Sequence, residues 1–469
     1  MKNSIRTLAM LGLAAGIAMA GTARADDAGA NSDNQTSMSQ DQQDNTEDQI
    51  EALRETLGTL KAQQDNIDKL LKNWINVTGD IRFRYESNDF FYTPGSSGPI
   101  GGLHSIAGNG NASYVEPATA RILNYERYRI RARLVDKAHV NDFTTAVVRL
   151  TTEAYLSGNA PYGQPNTANQ TLNSYGDKDP ASIDKAYIDV APQVVMMPEL
   201  IAGVQGMPFL LDGTNGNLIF DDNLTDGGLS FSLMTPALAG LDLRAIGAQF
   251  INEDGKGGTA FYTPTQHPEF EGEQVVLDWN AMPMGQKMGL SLGVAYYDWR
   301  FVKDTAIFTQ GQSGGGTYIN SAGANGLMLN DFCVDDYLAT YNTMLAGLNV
   351  KAFYEYERNT VVAANNVGYL AGGEIASGDL IPWSTNEITL GYNYRVAQTD
   401  STLCIWNDGD FNAGGTDAMG GKFYAKVMVG DNLWVSVQNY NDRGNLEAEA
   451  AGGRYSMFQR TQVDLNAKF

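Results

Sequence analysis

The chain has 469 residues, more than one small soluble core accommodates, yet no change of composition splits it into two globular halves. A formal charge of −22 excludes nucleic acid as a partner, which demands a basic surface. Two cysteines do not make a disulfide scaffold at this size. Fifty-one glycines, 23 tyrosines and 18 phenylalanines suit many strands and turns, and beyond the N-terminus no run of eighteen uncharged apolar residues offers a membrane-spanning helix.

Residues 1–25 read as a signal peptide: Lys2 and Arg6 precede an apolar run from Leu8 to Ala20, and Ala23-Arg24-Ala25 is an A-x-A cleavage site before Asp26. Removing this segment takes the charge to about −25. Residues 26–45 are polar, free of aromatics and read as a flexible linker. Over residues 46–72 the period becomes helical. Ile50, Leu53, Leu57, Leu60, Gln64, Ile67 and Leu71 follow a 3-4 spacing, the seam of a coiled coil that self-associates, with Gln64 as its one polar position. An amphipathic helix packed on the rest of the protein fits the same spacing.

From Trp74 the pattern switches to alternation. Val77, Gly79, Ile81, Phe83 and Tyr85 oppose Thr78, Asp80, Arg82, Arg84 and Glu86; at the other end Thr461, Val463, Leu465, Ala467 and Phe469 oppose Arg460, Gln462, Asp464, Asn466 and Lys468. Sixteen such segments can be parsed, near 75–86, 122–136, 141–154, 182–191, 199–206, 228–235, 240–250, 271–280, 287–300, 336–345, 348–358, 385–397, 400–406, 420–429, 433–441 and 456–469. Their connections alternate between long Gly/Asn/Asp/Ser-rich loops and brief turns such as Ala346-Gly347 and Gly430-Asp431-Asn432. An even strand number with this asymmetry predicts a sixteen-stranded antiparallel transmembrane β-barrel over 74–469, preceded by a short coiled-coil helix.

If the apolar faces meet lipid, parity turns Arg82 and Arg84 of the first strand inward, with Arg127, Arg129, Arg131 and Arg133 of the second and Arg149 of the third. In lipid each arginine would cost about 2–4 kcal/mol near the midplane, so the barrel forces them into the lumen. Two purposes fit: pairing with wall acids such as Asp80, Glu86 or Glu153, or a charged lining that selects solutes.

The signal peptide, the alternating loops and the aromatic-terminated last strand resemble a Gram-negative outer-membrane porin. More narrowly, the chain is similar to porin families with a periplasmic coiled coil followed by an N-x-x-G-D-[IY]-R-[FY]-R-like first strand, here Asn76-Val77-Thr78-Gly79-Asp80-Ile81-Arg82-Phe83-Arg84. The resemblance implies a homotrimer of barrels in outer-membrane lipid, each with its own water-filled pore for small hydrophilic solutes or ions, and recognition of Phe469 in barrel assembly. It also implies that the third long loop forms a constriction. That loop, 207–227, carries Asp212, Asp221, Asp222 and Asp226 beside six large apolar residues, more than a loop in water would need. By resemblance these four acids oppose the seven arginines.

The remaining signals are weaker. Cys333 and Cys404 both fall at the long-loop end, where a disulfide and two free thiols fit equally. His104, His139 and His267 show no metal-ligand spacing, and no histidine lies on a strand to support hydrolytic chemistry. No cofactor, metal or enzymatic motif is expected. Asp335-Asp336 and Asn407-Asp408-Gly409-Asp410 read as solvated acids before calcium ligands. Net loop acidity predicts a mild cation preference, which the arginines oppose. A barrel anchored through its N-terminal helix, and a sugar channel with an aromatic slide, are the alternative functions.

Overall fold

A computed structural model describes residues 51–61, 63, 75–92, 122–152, 169–172, 181–210, 218–235, 240–251, 269–281, 288–304, 320–321, 328–377, 387–413, 415–444 and 456–469. The chain divides into two units, 1–70 and 71–469. In the first, residues 51–61 are helical, and the seam residues Leu53, Leu57 and Leu60 are exposed. Ile50, Gln64, Ile67 and Leu71 lie outside the described residues, as do residues 1–45. No described helix is long and apolar enough to cross a membrane.

The second unit is a closed antiparallel barrel of sixteen strands. In chain order the strands are β1 (Ile75–Tyr92), β2 (Ile122–Asn141), β3 (Thr144–Thr151), β4 (Gln170–Thr171), β5 (Ser182–Val190), β6 (Glu199–Gly206), β7 (Thr225–Met234), β8 (Leu241–Ile251) and β9 (Glu269–Ala281). They continue with β10 (Met288–Arg300), β11 (Phe332–Leu345), β12 (Leu348–Asn359), β13 (Val367–Ser377), β14 (Ile388–Ala397), β15 (Ala418–Gly430), β16 (Leu433–Gly444) and β17 (Ser456–Lys468). β4 is not a stave. It is a two-residue patch in the second long loop that pairs with β2 where the short β3 has ended, Arg129 opposite Thr171.

Every other neighbour in the wall is also a neighbour in sequence, and the first strand closes on the last. β1 pairs with β17 from Asp80–Lys468 to Tyr92–Ser456, and Gly79 and Phe469 exchange backbone hydrogen bonds of 2.9 and 3.0 Å. Closure removes both sheet edges, which in lipid would leave unpaired backbone groups. Short turns follow local chemistry. Ala346 and Gly347, at φ of 51° and 81°, give the two-residue hairpin whose handedness matches strand twist between β11 and β12.

Alternation holds around the wall. Outward residues such as Ile81, Phe83, Tyr128, Leu292, Val294 and Leu465 are exposed apolar groups, whereas Arg84, Glu86, Gln462 and Asp464 are buried inside. The interior is divided. β1, β2 and β15–β17 present charged and amide side chains. β8–β13 present Phe250, Phe270, Tyr297, Trp299, Phe332, Val334, Phe353 and Leu370, fully or nearly fully buried in one apolar cluster.

Two elements depart from the sequence parse while leaving the count intact. The segment 400–406 is not a strand: Leu403, Cys404 and Trp406 lie in the loop between β14 and β15, buried, with Leu403 and Trp406 in the interior apolar cluster. The missing strand is β13, and with it in place 388–397 runs opposite to the direction that the alternating order of the sixteen segments implies for 385–397. β13 escaped recognition because glycines hold three of its eleven positions. Gly372 makes room for the Phe353 ring, so the strand shows little apolar contrast.

Candidate functional site

The charged wall comes from three adjacent strands whose register brings like charges together. Arg82 stands opposite Arg131, Arg84 opposite Arg129, and Asp80 opposite Arg133. Guanidiniums directly opposed across a ladder repel, so the arrangement needs acids. Arg84 donates to both oxygens of Asp464 at 2.6 and 2.8 Å and to Asp410 at 3.0 Å. Glu86, fully buried, accepts from Arg127 at 2.7 Å and lies 3.5 Å from Arg129. Arg131 pairs with Asp80 at 2.8 Å and Arg149 with Asp184 at 2.6 Å. Arg82 and Arg133 differ: their hydrogen-bond acceptors are amide oxygens, those of Asn169 and Asn223. Five of the seven sequence-predicted arginines therefore touch a carboxylate, mostly one from the wall itself.

Two loops pack against the interior. In the third, between β6 and β7, Leu218, Ile219 and Phe220 are buried. Phe220 lies with ring centroids 5.0 Å from Tyr297, 5.9 Å from Phe270 and Trp406, and 6.1 Å from Trp299. Polar contacts add direction: Leu210 donates its N–H to Gln274 at 2.6 Å, and Leu218 donates to Glu355 at 3.4 Å. The other of the two, 398–417 between β14 and β15, meets the third. Asp221 N–H donates to the Trp406 carbonyl at 2.7 Å, and Gly409 N–H donates to the Asp221 carboxylate at 3.2 Å. Asp408 of this loop pairs with Arg395 at 3.1 Å, and Asp410 reaches both Arg84 and Arg460 at 3.0 Å. Burial alone would raise the Asp410 carboxyl, but Arg84 and Arg460 outweigh it and hold the group well below the usual carboxylate range.

Between wall and loops lies a cavity of about 340 Å³. On one side stand Arg82, Arg84, Arg131 and Arg133 with Asp80; on another Asp221, Asp222 and Asn223 of the third loop; on a third Asp408 and Asp410 of the loop 398–417; and β16 and β17 supply Trp434, Ser436, Gln438, Tyr440, Asp464, Asn466 and Lys468. Six aspartates thus face five cations. Asp221 and Asp222 meet the arginine side in this cavity. Asp226 does not line it: it sits on β7 and accepts from Gly227 N–H at 2.7 Å. Asp212 lies outside the described residues, as does Glu153. Arg127, Arg129 and Arg149 line other parts of the wall.

Sequence reasoning missed Asp410, Arg460, Asn169 and Asn223. Arg460 already stood on the polar face of the last strand by parity. Asp410 lay in an acidic run that reads as solvated, and nothing local ties it to Arg84, 326 residues away. Neither cysteine is disulfide-bonded. Cys404 is buried and free, and Cys333 is free and half-buried, its thiol 3.2 Å from Asp298. His139, against the expectation that no histidine lies on a strand, sits near the end of β2 in register with Thr145 of β3 and 3.2 Å from its hydroxyl; His104 and His267 fall outside the described residues. The Asp335-Asp336 pair is split by strand alternation, only Asp336 being buried inside.

No curated protein matches the sequence. Among solved structures, the chain is similar to OprB of Pseudomonas putida at high pH, with 10% identity over 86% of this chain and 96% of that one and a TM-score of 0.46. OmpF of Salmonella typhi in complex with daunomycin gives 10% identity, 85% and 98% coverage and a TM-score of 0.43. The anion-selective porin of Comamonas acidovorans gives 10% identity, 84% and 99% coverage and a TM-score of 0.40. A family model described as "putative porin" matches residues 30–317, more than half of the chain. The protein belongs to that family of outer-membrane porins.

Proposed function

We propose that the barrel lets small hydrophilic solutes and ions diffuse passively across the outer membrane, through a constriction with arginines on one side and loop acids on the other. The observation that supports this reading most directly is the cavity in which Arg82, Arg84, Arg131 and Arg133 face Asp221, Asp222 and Asp410. Opposed charges across a narrow gap make a transverse field that orients dipolar solutes, and the balance of sign sets ion preference. Passage of this kind needs no bond-making chemistry. In this reading the long loops face outward, the short turns and the coiled coil of residues 46–72 lie in the periplasm after removal of residues 1–25, and three copies associate.

A sugar channel is the second reading, and Trp434 and Tyr440 in the cavity are the observation in its favour. Their ring faces are engaged: Lys468 and Lys426 lie 5.4 and 5.7 Å from the Trp434 centroid, and Lys422 lies 5.1 Å from Tyr440. Cations so placed leave little open aromatic face for a sugar ring. The deciding experiment is single-channel conductance of the refolded protein in a planar bilayer under a salt gradient. Stepwise openings whose reversal potential moves toward anions in Asp221→Asn/Asp222→Asn support the constriction. A folded protein without conductance refutes the channel and leaves the anchor.

A further inference from the structure

We propose that the cavity takes a small oxyanion, a carboxylate or phosphate group, against Arg82 and Arg133, and that Asn169 and Asn223 set this preference by leaving both guanidiniums without a carboxylate. The inference rests on the channel reading and names a solute class for the same site. The arginines along one wall are unequally paired. Among the described residues, Arg84, Arg127, Arg129, Arg131 and Arg149 each lie within 4.0 Å of an acid, whereas Arg82 and Arg133 make no such pair. Each is met by an amide oxygen from a loop folded against it, Asn169 of the second long loop on Arg82 and Asn223 of the third on Arg133.

The Nε atoms of Arg82 and Arg133 are buried without a partner. Guanidinium stays charged at any working pH, and an amide oxygen satisfies one N–H without supplying compensating charge. Nearby acids are already engaged. Asp80, between the two arginines in register, is held by Arg131 through two contacts at 2.8 and 3.2 Å. Asp221 accepts from the Asn223 backbone at 2.7 Å, the Asn223 side chain at 2.9 Å and Gly409 at 3.2 Å. Two half-buried cations on one cavity wall therefore have acids in the same cavity but none in contact, which leaves their free N–H groups to a solute's oxygens.

Geometry allows one solute group to meet both. Arg82 faces Arg131 and Arg133 faces Asp80, so the two arginines are diagonal neighbours on adjacent strands, about 7–8 Å apart at Cα. Arginine side chains are long enough to bridge that span, and both line the same cavity of about 340 Å³, the small end of the ligand-pocket range. Net acidity of the chain, which alone suggests a cation preference, does not describe this step. Pairing does, because an acid already bound to its own arginine no longer offers a full charge to the solute.

The test uses the refolded full chain in detergent and in bilayers, in chloride-free buffer, with acetate and inorganic phosphate as probes. Titration calorimetry should show binding of at least one probe. Asn169→Asp/Asn223→Asp, which adds a carboxylate to each guanidinium at nearly unchanged volume, should weaken that binding tenfold or more and move the reversal potential toward cations. The single substitutions give intermediate losses and serve if the double variant fails to fold. Acetate binding alone assigns a carboxylate, and phosphate binding alone a phosphate group. No binding of either probe by the wild type, or equal binding by the variants, overturns the proposal. Conductance in the same preparations judges the channel reading separately, so failure of one is distinguishable from failure of the other.

Discussion

Phe220→Ala tests whether apolar packing holds the third loop against the wall. Phe220 is 1% exposed and has Phe209, Phe270, Tyr297, Trp299 and Trp406 around it, with centroid separations from 5.0 to 6.1 Å. Truncating a buried phenylalanine costs about 3–5 kcal/mol when the site does not collapse. Of the neighbouring rings, Phe270, Tyr297 and Trp299 stand on β9 and β10, which cannot close inward without breaking ladder pairs, whereas Phe209 and Trp406 belong to loops that can shift, so the middle of that range applies. What remains to hold the loop is the burial of Phe209, Leu218, Ile219 and Leu224 and a few hydrogen bonds, among them Asp221 to Trp406 at 2.7 Å. A loss of about 4 kcal/mol lowers the docked-to-undocked ratio roughly a thousandfold. Single-channel recordings should show larger and noisier openings in the variant, and the folded barrel should convert to the unfolded form at a lower temperature on semi-native gels. Unchanged conductance together with unchanged stability would show that the loop is held by something else.

Three further outcomes follow from the charged wall and the loops. Glu86→Gln leaves Arg127 and Arg129 without the fully buried carboxylate between them and should destabilise the barrel by about 3–5 kcal/mol, read as a lower gel-shift temperature. Asp410, with its side chain 25% exposed, has a carboxyl depressed by Arg84 and Arg460, so its contribution is present above the ordinary carboxylate range and is lost only as pH falls through the depressed value. The loop 398–417 should therefore stay docked from pH 7 to 4, as followed by protease protection, whereas Asp410→Asn should weaken docking throughout that range by roughly 2–3 kcal/mol, discounted for exposure. A maleimide should modify half-buried Cys333 in the folded protein and reach buried Cys404 only after unfolding, as mass spectrometry would show.

The fold was legible because lipid on one side and water on the other impose one rule on every stave. Ile81 and Phe83 against Arg82 and Arg84, or Val463 and Leu465 against Gln462 and Asp464, follow it without exception. The rule fails where the lumen itself is apolar. Leu403 and Trp406 look like strand residues since they are buried, but what buries them is the inner face of the barrel. β13 looks like a loop for the complementary reason, since its glycines yield space to bulky neighbours. At the site, parity turned the arginines inward, while the acids of the third loop came only through the resemblance, and Asp226 does not line the cavity. The partners of those arginines were not legible, because the pairs Arg84–Asp464 and Arg84–Asp410 join positions 380 and 326 residues apart.

The strand seam gives those long separations a consequence for assembly. Arg84 and Asp464, Arg460 and Asn88, and Gln462 and Glu86 meet only when β1 and β17 come together. Before that moment the first stave carries arginines, and the last an aspartate, with neither partner in reach. An incomplete barrel with those groups exposed toward hydrocarbon would carry both bare backbone edges and solitary ions, each strongly disfavoured there. Sealing the seam removes both penalties in one event. The side chains of this seam are thus satisfied only in the completed wall, where one closure joins backbone and charge together.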